Sequence, residues 1–369
     1  SLELTDYPKN VCYSKGYAIT SKLIRQLSRP STAHCTLGHY IGMLISEPKQ
    51  PTCTRLAQSI EIGHDSINNF LGRESFEPRD LYEQTKGYIN LTGGIISIDD
   101  TVLDKPYSNK TDLIGYYYSG KHHKAVQGIN LITLYYTDLT GNSQPINYRL
   151  YDPKDNLTKN DYFQKMLDEV LAWGLIPSYI TGDSWYSSKE NLKHIKHAEL
   201  GFMFAVKANR TVSIKQGEWL QVQQIDHVPK TGLEVWLKDF GFVTLYRHHF
   251  KDQVRHYVKF DPKPKDSEPN SPVFTPLDFE YLHDCHWQIE TYHRTIKQCC
   301  SIEKFQLRRE RKIRNHVFSS LMAFVYLKQQ LSFGFSSVYA WVSHLFTPVV
   351  AQMSRQVADD LFYLNPKFS

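Results

Sequence analysis

Over the first 88 positions apolar residues recur at helical intervals between turn residues, with little strand signal, which predicts an N-terminal helical unit. Within it, Thr54-Arg-Leu-Ala-Gln-Ser-Ile-Glu-Ile-Gly-His-Asp-Ser-Ile-Asn-Asn-Phe-Leu71 reads as a helix-turn-helix. Ala57 is the small residue of the first helix, Ile67 and Phe70 are the apolar positions of the second, and Gly63 falls in the turn. The second helix then presents His64, Ser66, Asn68 and Asn69, whose polar side chains suit base edges or phosphates. A helical hairpin packed only within its own domain fits the same spacing.

From Gly93 the pattern changes. Ile95-Ile-Ser-Ile98 reads as a short buried strand ending in Asp99-Asp100-Thr101, Gln127 to Asp138 as a longer strand, and Asn147 to Leu150 as a third. Tyr162, Met166, Val170 and Trp173 recur at helical spacing in a helix over Asn160 to Trp173. Ser178-Tyr-Ile-Thr181 is the next strand, with Gly182-Asp183 at its C-terminal end. A helix over Lys189 to His197 and a strand over Phe202 to Val206 follow. Three strands, a helix, a strand, a helix and a strand describe an α/β sheet of mixed direction.

Residues 208–261 are again strand-rich, with Leu233 to Leu237 and Phe242 to Tyr246 as hairpin material, and Pro262 to Pro272 forms a polar, proline-laden linker. The predicted organisation is therefore helical over 1–88, catalytic-type α/β over 89–207, a β-rich insertion with its linker over 208–278, a helical return over 279–335, and a helical tail over 336–369.

The helical return carries two files. Leu282, Cys285, Ile289, Tyr292, Ile296 and Cys299 make a continuous apolar stripe. Beside it run His283, His286, Glu290, Arg294 and Lys297, all projecting from one side of the helix. A carboxylate among cationic or potentially cationic groups suits a site for metal and phosphate, although Glu290 and Arg294 also have the spacing of a solvated salt bridge. Asp99 and Asp183 each end an apolar strand, where an open α/β sheet places its ligand crevice. Taken alone, either is equally suited to capping a turn. Together with Glu290 they offer hard oxygen ligands to a pair of divalent ions roughly 3.5–4 Å apart, the arrangement that serves phosphoryl transfer.

Composition narrows this reading a little. The 369 residues suffice for two or three structural units, and a net charge of +5 leans toward an anionic partner. The charge gathers at Lys121-His122-His123-Lys124 and at Arg308, Arg309, Arg311, Lys312 and Arg314. Six cysteines (Cys12, Cys35, Cys53, Cys285, Cys299, Cys300) lack zinc-ligand spacing, which predicts a reduced, cytoplasmic chain. No signal-peptide pattern and no membrane-length apolar run is present, so no membrane partner is expected.

Ile98-Asp99-Asp100-Thr101, Thr181-Gly-Asp183-Ser-Trp-Tyr186 and Trp287-Gln-Ile-Glu290 followed by Lys297 resemble the three catalytic regions of bacterial insertion-sequence DDE transposases, in the branch with a β-rich insertion before the glutamate. The resemblance covers about residues 90–330 and implies an RNase H-like fold in which Asp99, Asp183 and Glu290 are catalytic residues and ligands of two Mg²⁺ ions, for which Mn²⁺ can substitute. Adjacent strand residues face opposite sides, so only one of Asp99 and Asp100 can serve, and the family pattern Asp-x-Thr selects Asp99. The family's glutamate helix reads Tyr, two residues, Arg, three residues, Glu, six residues, Lys. Here His283 and His286 stand in the Tyr and Arg positions.

By the same resemblance Lys297 and Arg294 contact phosphates and Lys121 and Lys124 meet DNA at the mouth of the site; His286 grips a phosphate in the arginine's place if nearby phosphates or carboxylates make it cationic, the alternative being a neutral ring that hydrogen-bonds a carboxylate or water beside the metals. Trp219 and Trp236 in the insertion are positioned to stack on a displaced base, with ordinary core packing as the alternative, and Trp185 reads as a packing residue. The implied protein is a transposase that binds double-stranded DNA at its element's inverted repeats as a homodimer in the bacterial cytoplasm, associated with the nucleoid. A nuclease or resolvase that only hydrolyses, and a domesticated non-catalytic DNA-binding protein, are the alternatives.

Overall fold

The computed structural model describes residues 34–47, 51–108, 110–120, 122–250, 253–262, 276–331, 334 and 336–364. Cys12, Lys121 and all of the proline-rich linker beyond Pro262 lie outside the described residues. In chain order the helices are α1 (Leu37–Ser46), α2 (Cys53–Ser59), α3 (His64–Arg73), α4 (Pro78–Thr85), α5 (Lys159–Ala172), α6 (Lys189–His197), α7 (Phe279–Cys299), α8 (Glu310–Gln330) and α9 (Val338–Leu364). The strands are β1 (Ile95–Asp104), β2 (Gly115–Ser119), β3 (Lys124–Thr137), β4 (Ser143–Leu150), β5 (Tyr179–Gly182), β6 (Gly201–Val206), β7 (Thr211–Lys215), β8 (Glu218–Gln221), β9 (Leu233–Leu237), β10 (Gly241–Phe250) and β11 (Gln253–Phe260). They divide into a helical unit (Ser1–Ser75, Thr295–Leu307 and Arg311–Ser369) and a sheet unit (Phe76–Arg294 with Arg308–Glu310).

In the helical unit, Thr52 caps α2 by accepting from the Arg55 N–H, and Leu56 and Ala57 of α2 and Ile67, Phe70 and Leu71 of α3 are buried. Gly63 lies in the turn between these two helices, as the spacing predicts. Gly63 is the N-cap of α3 with extended backbone, while Glu61 takes the left-handed conformation (φ 54). Buried Asn315 of α8 donates to the carbonyls of Leu71 (2.8 Å) and Glu74 (2.6 Å), closing the C-terminal end of α3. Asn315→Ala should leave these carbonyls without that donor and destabilise the helical unit by about 1–3 kcal/mol. Faster proteolytic cutting within residues 60–75 would register the loss; unchanged protection would refute it.

The sheet unit is built on β4-β3-β1-β5-β6, with β1, β3 and β4 antiparallel and β5 and β6 running parallel to β1. Three antiparallel strands followed by two parallel ones make an RNase H-like sheet. On its outer side, long β3 pairs β2 along its first half and β4 along its second. The β-rich insertion continues this sheet, because β11 pairs antiparallel with β6 and carries β10, β9, β7 and β8 beyond it.

Helices cover both faces. Ile96 and Ile98 of β1 pack in one core with Phe163 and Met166 of α5 and Leu192 and Ile195 of α6. On the other face Ile95, Tyr179 and Met203 meet Phe279, Leu282 and Cys285 of α7. Each large side chain buried in these layers contributes about 1.5–3 kcal/mol of transfer free energy. Although α4 lies within the stretch assigned by sequence to the N-terminal helices, it belongs to the sheet unit, where its Tyr82 ring packs 5.2 Å from that of Trp173. The five described cysteines are free thiols, and no helix among the described residues is long and apolar enough to cross a membrane.

Candidate active site

Alternation along β1 decides where its two aspartates go. Ile96 and Ile98 point into the α5–α6 layer, and Asp100 continues that series: its carboxylate accepts from Asn130 Nδ2 (2.6 Å), Lys159 Nζ (2.8 Å) and the Tyr186 hydroxyl (3.0 Å). Ile95 and Ser97 face α7, and Asp99 continues theirs. Its Oδ2 lies 3.4 Å from His293 Nδ1 of α7, and its Oδ1 accepts the Asp100 N–H at 2.8 Å. Asp99 therefore shares the side of the sheet that carries the glutamate helix, and Asp100 is tied down on the opposite side.

Parallel pairing brings Asp183 alongside. The β1–β5 ladder ends in the pair Ile98–Gly182, so Asp99 and Asp183 are the next residues on neighbouring strands. Gly182 is required here, since a Cβ would stand 2.5 Å from Phe204 and 2.8 Å from Ile98. Asp183 Oδ1 then accepts the N–H groups of Trp185 (2.9 Å) and Tyr186 (3.4 Å), which fixes the carboxylate against its own turn. The turn is braced in its place by buried Asn191, which donates to the Tyr186 carbonyl and to Asn160 Oδ1 and accepts from Gln164.

Glu290 projects from the exposed side of α7. Burial, Glu290 and Asp100 together hold the Asp99 carboxyl well above the usual range. Burial, then Asp99 and Asp100, push Asp183 up to about 7. The carboxylates thus act on one another, Glu290 on Asp99 and Asp99 on Asp183. Among the described residues no three His, Cys, Asp or Glu side chains are already gathered as a metal cage. A hard ion such as Mg²⁺ needs none, since it keeps several waters and takes one or two carboxylates together with substrate phosphates. An all-oxygen donor set with too little counter-charge fits such an ion.

His286 Nδ1 lies 3.4 Å from Thr181 Oγ1, itself 2.9 Å from Ser97 Oγ, so the ring turns toward the sheet. Burial, then His283, His293 and Arg255, push its pKa down to about 4, which favours the neutral imidazole, one of the two states the sequence left open. His283 stacks on His248 (5.0 Å) and Phe279 (5.9 Å) and is likewise pushed down, first by burial and then by His248. Neither ring is a standing cation at neutral pH. Arg294 is exposed one turn beyond Glu290, and Lys297 pairs with Glu303 at 2.9 Å.

Elsewhere, His64, Asn68 and Asn69 are exposed on α3 and Ser66 is half-buried, with Asn68 Oδ1 accepting from Lys312 at 2.6 Å. Lys124 is exposed at the start of β3. Trp219 and Trp236 are 44% and 41% exposed, which removes core packing as their role; both pair with Ser213 across β7, in one row. Trp185 is exposed as well, its ring 5.4 Å from the Lys159 ammonium. Sequence reasoning missed His293, although its i+3 spacing from Glu290 was visible. It also missed Lys159, Asn130 and Tyr186, which only the tertiary fold brings to Asp100.

The transposase DDE domain family matches residues 91–326, a span that contains all three carboxylates. The chain belongs to the DDE transposase family. Members of the family generally use divalent metal ions. Among solved structures, the Drosophila P element transposase strand transfer complex is similar at 10% identity with a TM-score of 0.27, over 52% of this chain and 48% of that one. The chain thus spans about half the length of that transposase. No curated protein matched the sequence.

Proposed function

We propose that this DDE transposase binds the terminal inverted repeats of an insertion sequence, cleaves them, and joins the freed 3′-hydroxyls to target DNA, two copies bridging two ends. What supports the reading is that Asp99 and Asp183 follow the last pair of neighbouring strands and Glu290 acts on Asp99 from α7, all within the span of the family match. These carboxylates would hold two Mg²⁺ ions, or Mn²⁺ in their place. Bound there, the ions would activate the attacking water or hydroxyl and stabilise the leaving oxygen of an in-line displacement.

The chain's own groups prepare that chemistry. The Asp100 N–H and His293 orient Asp99, and the Trp185 and Tyr186 N–H groups leave Asp183 Oδ2 directed away from the turn. Arg294 and Lys297 would each take a phosphate near the cut. His286, neutral, would serve as a hydrogen-bonding brace on Thr181. The α2–α3 pair, with His64, Ser66, Asn68 and Asn69, would read the repeat, and Trp219 or Trp236 would stack on a displaced base.

Incubation with labelled element ends and Mg²⁺, followed by separation of nicked, hairpin and joined products, tests the proposal. Metal-dependent joined products are expected. Products that stop at the nick would replace transposition by hydrolysis alone, and absence of metal-dependent cutting would remove the enzyme reading altogether.

A further inference from the structure

The fold brings together two basic segments that lie far apart in the sequence. In the connection between β1 and β2, the Asp112 N–H donates to the Arg308 carbonyl (2.9 Å) and Asp112 Oδ2 accepts the Glu310 N–H (2.9 Å). Arg308 and Arg309, both exposed, are thereby held at the end of the sheet that also carries exposed Lys110 and the β2–β3 hairpin with His122, His123 and Lys124. Of this group His122 is matched by Asp104 at 2.9 Å.

The same end displays aromatic surface. Tyr107, Tyr116 and Tyr118 are 94%, 75% and 69% exposed. Register gives the direction of the last two. Asp104, Gly128 and Gly115 form one row across β1, β3 and β2, and Asp104 lies on the face of Asp100. Tyr117, on that face, meets Tyr151 and Lys159, so Tyr116 and Tyr118 open on the opposite face, the face of Asp99. The row of Tyr116 stands six positions beyond Asp99 along β1, roughly 20 Å at ~3.3 Å per residue.

We propose that this hairpin end is a second DNA-binding surface, on which unstacked bases of a strand passing the active site lie on Tyr116 and Tyr118 while Lys110, Lys124, Arg308 and Arg309 track its phosphates. The proposal rests on the transposase reading. Exposed aromatics on a sheet face interleaved with cations are what a single strand requires: rings that accept any base, and charges that follow its backbone. A purely electrostatic surface would have no use for two adjacent tyrosines left in water on one face.

The test measures binding of the full-length protein to a labelled oligothymidine of about 20 nucleotides by fluorescence anisotropy over a range of salt. Tyr116→Ser combined with Tyr118→Ser should weaken binding by about 5- to 100-fold with an unchanged salt slope, and the corresponding double Phe variant should restore it. Arg308→Ala combined with Arg309→Ala should flatten the salt slope by about one to two, since the loop is held through the Arg308 carbonyl and not its guanidinium. Wild-type affinity in either the Ser or the Ala variant overturns the proposal, as does failure of the Phe variant to bind better than the Ser variant. Because no cleavage is needed, a protein that binds in this way but never cuts would refute the transposase reading alone.

Discussion

Asp183→Asn is expected to abolish cleavage, by roughly a thousand-fold or more, and at the same time to stabilise the metal-free protein above pH 7. The first effect follows from replacing an anionic oxygen ligand by a neutral amide. The second follows from the surroundings of the carboxyl, which titrates at about 7 in the folded chain against an ordinary 3.8. Between those values the folded protein binds more protons than the unfolded one, so stability falls as pH rises from about 4 to about 7. Below that window the group is neutral in both states and no penalty exists; above it the whole penalty is present. At ~1.4 kcal/mol per unit the ceiling is about 4 kcal/mol, and partial contact with water brings the expected gain to about 1–3 kcal/mol. Unfolding followed in a chelator at pH 5 and pH 8 should show the variant's lead small at pH 5 and at its full size at pH 8, with added Mg²⁺ stabilising the wild type far more than the variant. Equal stabilities at pH 8, or full cleavage by the variant, would count against the site.

His286→Arg should lose activity and fold stability, even though it restores the residue type usual in the family. The imidazole is half-buried against Thr181 with His283, His293 and Arg255 acting on it, and this environment already pushes a proton off histidine. A guanidinium cannot shed its charge, so it must carry that charge into the same place at a cost of roughly 3 kcal/mol or more, or swing out and leave a gap. His286→Gln, neutral and able to hydrogen-bond, should be much the milder change. Since the folded histidine stays neutral across pH 6.5–8.5, it should contribute no titration to the activity profile there. An arginine variant as stable and as active as the wild type would show that this position meets phosphate after all.

How legible the molecule was depended on how local each signal is. The strands around Ile98 and Thr181 and the stripe from Leu282 to Cys299 follow from alternation and helical spacing, so the aspartates, the glutamate and their elements were placed from sequence. The choice between Asp99 and Asp100 needed a family pattern, and in the structure it rests on something no local pattern contains: Lys159, Asn130 and Tyr186 converge on Asp100 from three separate segments. The charge of His286 stayed open in the sequence because spacing on a helix gives a direction and says nothing of what packs there. The insertion was legible only as β-rich, since a run of strands does not reveal that β11 will pair with β6.

The ladder on either side of β1 has a bearing on how this chain can vary. Ten pairs with β3 and four with β5 set the height of Asp99, and a slip of one residue would turn it into the α5–α6 layer and offer Asp100 to the glutamate helix in its stead. Placement of the group is quantised: correct, or wrong by a whole face, with no graded loosening between. Core substitutions that weaken the sheet should therefore lower the number of competent molecules in a preparation while leaving the turnover of each one intact, and active-site titration would separate the two quantities.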